Sequence, residues 1–207
     1  MTQRFAPSKV VCVGRNYRAH AKELGNEVPS EPLLFLKPPS AVIADGESIV
    51  LPRESARVEH EGELAVVIAK RARRVRAEDV PNIIEGYTIA NDVTARDLQR
   101  KDVQFTRGKG FDTFCPIGPA LVRERPSSDA TITVTVNGSR RQHGHLRDMV
   151  FSIDVLVAYI SDVMTLEPGD VILTGTPEGV GPLVDGDVVE VAIDGLGVLR
   201  NSVRAER

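Results

Sequence analysis

Tryptophan is absent from this 207-residue chain, and aromatics make up only 4% of it. A surface built to stack on bases or sugar rings is therefore not encoded here. Cysteine occurs only at Cys12 and Cys115, too few and too far apart for a disulfide framework or a zinc knuckle, and a reducing, cytoplasmic setting is expected. Cys12 lies in Val10-Val-Cys-Val13 and Cys115 precedes Pro116, so both read as packing residues and not as nucleophiles. No N-terminal apolar segment resembles a signal peptide and no run approaches the length of a membrane span, so a soluble protein with no membrane partner is expected. Positive charge is not in excess either: 26 basic against 29 acidic residues give a formal net charge of −3. The one basic run, Lys70-Arg-Ala-Arg-Arg74 with Arg76, precedes a predicted helix from Ala77 to Glu85 and reads as a solvated turn. No nucleic-acid partner is expected.

Three acidic residues stand apart from the other charges. Glu61 and Glu63 flank Gly62 at the start of the apolar run Leu64-Ala-Val-Val-Ile68, and Asp92 closes Tyr87-Thr-Ile-Ala-Asn-Asp92. Alternate residues of a strand share a face, which puts two such carboxylates roughly 6.6 Å apart along the backbone and lets them converge on one ion. Three carboxylates at the edge of an apolar core repel one another and are costly to desolvate unless a cation neutralises them. Hard oxygen ligands favour Mg²⁺, Mn²⁺ or Ca²⁺ over zinc. The same Glu-x-Glu spacing also describes the wet face of a half-exposed sheet, so the triplet by itself leaves both readings open.

The length suits one catalytic domain over residues 9–207 after a short tail, 1–8. A strand from Lys9 to Gly14 leads through a turn into a helix from Arg18 to Leu24, stopped by Gly25-Asn26. Leu33 to Leu36 reads as a buried strand ended by Lys37-Pro-Pro39, and the carboxylate-bearing strand runs from His60 to Ile68. Thr131 to Val136 alternates with period two and meets Asn137-Gly138, a strong hairpin signal. Met149 to Met164 carries a helical pattern, and three short strands follow within 171–203. The fold class is α+β, strand-rich and mixed, with few helices. Neither Gly14-Arg-Asn-Tyr17 nor Thr174-Gly-Thr-Pro-Glu-Gly-Val-Gly181 has the form of a nucleotide-binding loop. Between Asp92 and Cys115 the chain is crowded with Arg96, Gln99, Lys101, Lys109 and other polar side chains, as the wall of an active site would be.

Six strings in order, Gly14-Arg-Asn-Tyr-Arg-Ala-His20, Phe35-Leu-Lys-Pro38, His60-Glu-Gly-Glu-Leu64, Asn91-Asp-Val-Thr-Ala-Arg-Asp97, Lys109-Gly-Phe-Asp-Thr-Phe-Cys-Pro116 and Leu173-Thr-Gly-Thr-Pro-Glu-Gly-Val-Gly181, resemble the fumarylacetoacetate hydrolase family, in its compact branch. That branch contains acylpyruvases, oxaloacetate-processing enzymes and the decarboxylase/isomerase of homoprotocatechuate breakdown. The resemblance spans nearly the whole chain and implies the strand-rich fold of that family, a homodimer, and one Mg²⁺ or Mn²⁺ per subunit. It places the metal ligands on Glu61, Glu63 and Asp92. Its substrate-binding wall falls on Arg15, Lys37, Arg96, Gln99, Gly175 and Thr176, with Lys37 near the pocket mouth. Its catalytic groups fall on His20, Glu23 and Lys109, with Lys101 as an understudy for the lysine.

The implied partner is a small 2-oxo acid. Cleavage of a C–C bond in a 2-oxo or 2,4-dioxo acid, by acylpyruvate hydrolysis or oxaloacetate-type decarboxylation, would release a pyruvate enolate, which fixed positive charge from Lys109 and a metal would hold. His20 and Glu23, at i and i+3 on one helical face, would activate water, although the same spacing also gives an ordinary surface ion pair. An isomerase or tautomerase of the same substrates needs the metal and a proton shuttle but no water. A binding protein for metal or small acids would need neither the polar wall nor the His20–Glu23 pair. His60 reads as a packed neighbour of Glu61, and His143 and His145 as exposed. The segment 18–37, a short helix followed by Pro29-Ser-Glu-Pro32, is a lid candidate.

Chelation is expected to abolish turnover and Mg²⁺ or Mn²⁺ to restore it, with Glu61→Ala, Glu63→Ala and Asp92→Ala each losing bound metal and activity together. Full turnover by the chelated protein would exclude the metal site.

Overall fold

Apolar strands that feed two separate cores organise the chain. A computed structural model describes residues 4–207. In chain order the elements are β1 (Val10–Gly14), α1 (Arg18–Glu23), β2 (Leu33–Lys37), β3 (Val42–Ala44), β4 (Ser48–Leu51), β5 (Val58–His60), β6 (Gly62–Ile68), β7 (Ile84–Asn91), β8 (Thr94–Ala95), α2 (Arg96–Asp102), α3 (Thr106–Lys109), β9 (Cys115–Val122), β10 (Thr131–Val136), β11 (Ser139–His145), α4 (Ile153–Val163), β12 (Val171–Leu173), β13 (Gly181–Pro182), β14 (Val188–Ile193) and β15 (Gly197–Ala205). They form a seven-stranded sheet in the order β2-β1-β12-β6-β7-β9-β3, a five-stranded sheet β11-β10-β14-β15-β4, and a small sheet β13-β5-β8. The class is α+β and strand-rich.

The period of two along β6 explains its uninterrupted apolar run. Leu64, Val66 and Ile68 face the large core shared with Val134, Val191 and Leu156, while Ala65 and Val67 face a second core with Val10, Cys12, Cys115 and Ile117. A strand buried on both faces loses the polar alternation of a half-wet one. Both cysteines are buried and unbridged, as their apolar surroundings predict. Burial pushes the Cys115 thiol up to about 12 and the Cys12 thiol well above its ordinary value, so neither is a thiolate.

The sheet register gathers the signature strings at one end. Cys12 pairs with Leu173, and Leu173 with Ala65, while Gly62 pairs with Asn91. With β1 parallel to β12, β12 antiparallel to β6 and β6 antiparallel to β7, the ends of β1, β12 and β7 and the start of β6 lie side by side. The five-stranded sheet presses on this corner. A Cβ at Gly62 would lie 2.4 Å from Val134 Cγ2 and 2.9 Å from Val191 Cγ1, so only glycine fits.

Some expectations are corrected. The strand expected from His60 to Ile68 is two strands that break at Glu61: β5 pairs with β8 and β13, β6 with β7 and β12. The expected buried strand over Leu33 to Leu36 is the edge of its sheet, with Leu36 47% exposed. The helix expected from Ala77 to Glu85 is a 3-10 segment, Ala77–Asn82, with Pro81 inside it, which removes an amide donor. The helix expected from Met149 starts at Ile153, because the Ser152 hydroxyl accepts from the Val155 N–H and caps it. The hairpin at Asn137-Gly138 is present, both residues at positive φ (51° and 75°), as a two-residue turn between twisted strands requires. His143 is exposed and His145 half-buried. No helix of the described residues is long and apolar enough to cross a membrane.

The parallel pairing of β1 and β12 has no local turn to hold its register, and Asp170 supplies a tie. Its carboxylate accepts from Ser8 Oγ at 2.6 Å, the Lys9 N–H at 3.2 Å and the Glu167 N–H at 2.7 Å, and it touches the Lys9 ammonium. Burial raises its pKa, but the hydrogen bonds from Lys9, Ser8 and the Glu167 amide outweigh that and hold it below its ordinary 3.8. Asp170→Asn is expected to cost about 1–3 kcal/mol at neutral pH. Because the folded-state value is depressed, this contribution is complete above the ordinary value and is lost as pH falls through the folded-state value. Urea unfolding should therefore show the gap between wild type and variant closing under strongly acid conditions.

Candidate metal centre and active site

Glu61 leaves β5 at the switch between sheets, Glu63 lies one residue into β6, and Asp92 follows the end of β7. All three are buried, and one oxygen of each lies within 4.8 Å of the others. Backbone contacts fix the spacing: the Asp92 N–H donates to the Glu61 carbonyl at 2.8 Å, and the Glu61 N–H donates to Asn91 Oδ1 at 2.9 Å. The convergence expected from two residues on one strand face is achieved by a chain bend and a neighbouring strand end.

Cations surround two of the three carboxylates. Lys109 Nζ lies 2.8 Å from Glu61 and 2.6 Å from Asp92, Lys37 Nζ lies 2.6 Å from Asp92, and the Arg96 guanidinium spans Glu59 at 2.7 Å and Glu61. Burial opposes the charge on Glu61, but Lys109, then Arg96 and His20, hold its carboxyl well below the usual range. Burial likewise opposes charge on Lys109, but Asp92 and Glu61 push its pKa up to about 12. Glu63 differs: it accepts the Gly175 N–H at 2.6 Å, and burial, with Asp92 and Glu61 beside it, pushes its carboxyl well above the usual range. Among the described residues no cation is paired with Glu63, and Lys109 offsets only part of the burial and repulsion there. An all-carboxylate oxygen set with that deficit fits a hard divalent cation.

These side chains line a cavity of about 330 Å³. Arg15, His20, Glu61, Glu63, Asp92, Arg96, Gln99, Lys109 and Thr176 all reach its wall. His20 is buried on α1, with Nδ1 3.3 Å from Glu23 Oε2. Glu23 in turn accepts the Gly179 N–H at 3.0 and 3.2 Å, tying α1 to the loop after Thr176. Gln99 accepts from Arg96 at 2.6 Å, and Lys109 stands 5.0 Å above the Phe35 ring. Lys101, the understudy for the lysine, is exposed and outside the cavity.

Lys37 is a correction. Expected at the pocket mouth, it is 1% exposed, outside the cavity lining, and bonded to Asp92 and to the Val93 carbonyl at 3.0 Å. It holds a carboxylate of the cluster and does not face the pocket. Gly175 likewise presents its N–H to Glu63, and the Thr176 hydroxyl donates to the Gly62 carbonyl at 2.8 Å.

Sequence reading missed Glu59, Asn91 and Gln142, all buried against the cluster's backbone or its arginine. Glu59 could have been found from its place two residues before Glu61. Gln142, inside the polar stretch Arg140-Arg-Gln-His143 of an outer strand, carried no signal. His60 is fully buried, and burial favours its neutral form.

Lys37→Met, which keeps the stem and removes the charge, is expected to cost about 3–5 kcal/mol in chemical denaturation, because it leaves a buried carboxylate without its partner. A lysine at the pocket mouth would leave the unfolding midpoint unchanged.

Known proteins resemble this chain in sequence and in fold. The chain is 46% identical over 202 residues to a mitochondrial oxaloacetate tautomerase of Arabidopsis thaliana, covering 95% of this chain and 91% of that protein. The crystal structure of a 5-carboxymethyl-2-hydroxymuconate delta-isomerase from Mycobacterium smegmatis superposes with a TM-score of 0.94 at 48% identity, over 100% of this chain and 82% of that one. A fumarylpyruvate hydrolase from Pseudomonas aeruginosa, solved in complex with Mn²⁺ and pyruvate, superposes with a TM-score of 0.91 at 36% identity, over 99% and 92%. The family profile described as fumarylacetoacetate (FAA) hydrolase C-terminal matches residues 9–204. Matched over nearly its whole length in sequence and in fold, the chain is an enzyme of the fumarylacetoacetate hydrolase family.

Proposed function

We propose that this protein is a divalent-metal-dependent enzyme of 2-oxo diacids that moves a proton at the carbon beside the 2-oxo group, interconverting the enol and keto forms of an oxaloacetate-type substrate. The observation that carries this reading is the His20–Glu23 pair: His20 is buried on the wall of the cavity that holds the carboxylate cluster, and Glu23, more exposed and outside the cavity lining, is bonded behind it. Glu23 orients the imidazole; His20 delivers a proton to C3, and the proton released by the enol oxygen returns to the imidazole through solvent, so His20 is unchanged over the turnover. Held by Glu61, Glu63 and Asp92, a Mg²⁺ or Mn²⁺ ion would polarise the 2-oxo group and stabilise negative charge on its oxygen. Lys109 adds fixed positive charge beside that oxygen.

Two arginines support a diacid. Arg15 and Arg100 line the same cavity and make no ion pair among the described residues, unlike Arg96. Arg15 is held at a φ of 59°, a conformation non-glycine residues adopt rarely. The molecules named for the tautomerase, the isomerase and the hydrolase all carry carboxylates at both ends, and these guanidinium groups suit the distal one.

Cleavage of the C–C bond is the second reading, supported by the likeness to the fumarylpyruvate hydrolase. The same His20–Glu23 pair would then activate water. Parallel measurement separates the two: with Mn²⁺ or Mg²⁺, decay of the oxaloacetate enol absorbance is expected without matching release of pyruvate or carbon dioxide. Release at the rate of enol decay would favour cleavage. His20→Ala is expected to lose about 10²–10⁴ in turnover with oxalate affinity unchanged. Loss of oxalate affinity in step with rate would make His20 a binding residue.

Of the segment 18–37, residues 18–32 are proposed as a lid; β2 is excluded, because it pairs along its length with β1 and Lys37 is bonded to Asp92. Helix α1 has six residues, too few to be stable alone, and is held by the Tyr17–Met149 bridge and the Glu23–Gly179 hydrogen bonds. Hydrogen exchange across 18–32 should slow when oxalate is added to the Mg²⁺-loaded protein, and by more than in β10. Equal protection in both states would indicate a preformed site.

A further inference from the structure

Gln142 belongs to β11 in the five-stranded sheet, yet its side chain uses every hydrogen-bonding position it has on the opposite side of the interface. It is fully buried. Its Oε1 accepts the Gly62 N–H at 3.1 Å and lies 3.0 Å from His60 Nδ1; its Nε2 donates to Thr176 Oγ1 at 2.8 Å and to the Pro177 carbonyl at 2.7 Å. Two of these partners have only one possible polarity. A backbone N–H can only donate and a carbonyl can only accept, so Gly62 and Pro177 together fix which end of the amide is oxygen.

The other two polarities follow. His60 Nδ1 faces an acceptor and must carry a proton, which leaves Nε2 as the atom without a partner. Thr176 Oγ1 faces a donor and must accept, so its own single proton points elsewhere. In this structure that proton goes to the Gly62 carbonyl at 2.8 Å. Thr176 also lines the cavity, and a hydroxyl turning about its C–O bond can redirect its hydrogen bond from the carbonyl to an anionic oxygen there.

We infer that Gln142 is a positioning residue: by donating to Thr176 Oγ1 it keeps that hydroxyl a donor toward a substrate carboxylate or 2-oxo oxygen. This rests on the 2-oxo acid reading of the cavity. A carboxylate at position 142 would reverse the polarity, since Glu in place of Gln draws the Thr176 proton to itself and turns a lone pair toward the cavity. The same amide bonds the glycine between Glu61 and Glu63, so one side chain couples the carboxylate segment to the Gly175-Thr176 turn.

The test is a double-mutant cycle read by calorimetric oxalate binding to the Mn²⁺-loaded protein, using wild type, Gln142→Glu, Thr176→Val and the double variant. Each single variant is expected to weaken oxalate by roughly tenfold or more, the worth of a hydrogen bond to a charged group. The double variant should be no weaker than Thr176→Val, because any direct repulsion by the introduced carboxylate is small beside the effect routed through the hydroxyl. Additive losses would overturn the inference while leaving the functional reading intact. Absence of oxalate binding to the wild type would instead overturn the functional reading, and the donor role with it. A ligand-free measurement guards against a variant that fails to fold: ¹⁵N chemical shifts of His60 in the wild type should report the Nδ1–H tautomer. The Nε2–H tautomer would mean that the amide is turned the other way, and would overturn the inference.

Discussion

Neutralising three carboxylates inside an apolar corner is the constraint on which the rest of this structure depends. Glu61, Glu63 and Asp92 lie where the main sheet, the five-stranded sheet and the small sheet meet, and each is almost without solvent. Desolvated carboxylates at this separation cannot all remain charged without cations. Lys37, Arg96 and Lys109 are accordingly drawn into the interior from three different elements, and Arg96 is shared with a fourth acid, Glu59. The charge still missing beside Glu63 is what fits the cluster to a divalent ion rather than to a closed set of salt bridges.

Backbone geometry serves the same end. The central strands of the main sheet, buried on both faces, give the corner a rigid floor, and the chain changes sheets at Glu61 so that its side chain meets those of Glu63 and Asp92. Gly62 makes the change possible by letting Val134 and Val191 approach the backbone directly. A larger residue there would part the sheets and widen the cluster. At Gly179 a Cβ would fall 2.2 Å from the Arg141 carbonyl, so the loop that anchors Glu23 also depends on a missing side chain. The polar wall is mounted on this floor by α1, α2 and α3, short helices that tertiary contacts hold in place.

Local chemistry makes much of this legible in the chain. The apolar run after Glu63, the Asn137-Gly138 hairpin, the buried cysteines and the carboxylate triplet each declare themselves within a few neighbouring residues. Patterns mislead where they are ambiguous at short range. Leu33 to Leu36 is as apolar as a central strand but lies at an edge, and Lys37 beside Pro38 has the look of a loop lysine though it is among the most buried side chains of the protein. Helices α2 and α3 of the polar wall give no comparable signal, because such short, mostly polar segments carry no apolar period.

The sequence by itself determined the strand-rich class, the three oxygen ligands a cation would need and the residues available to face it. Only the tertiary structure decided which cations are committed to those ligands, that Lys37 points inward, that Arg15 and Arg100 are left without acidic partners among the described residues, and that Gln142 reaches across a sheet interface to Gly62 and Thr176. Residue type and local spacing are properties of the chain, whereas the partner of a buried charge or amide is chosen by the packing of strands far apart in sequence. That choice is enforced by the cost of leaving any one of these groups unpaired away from water.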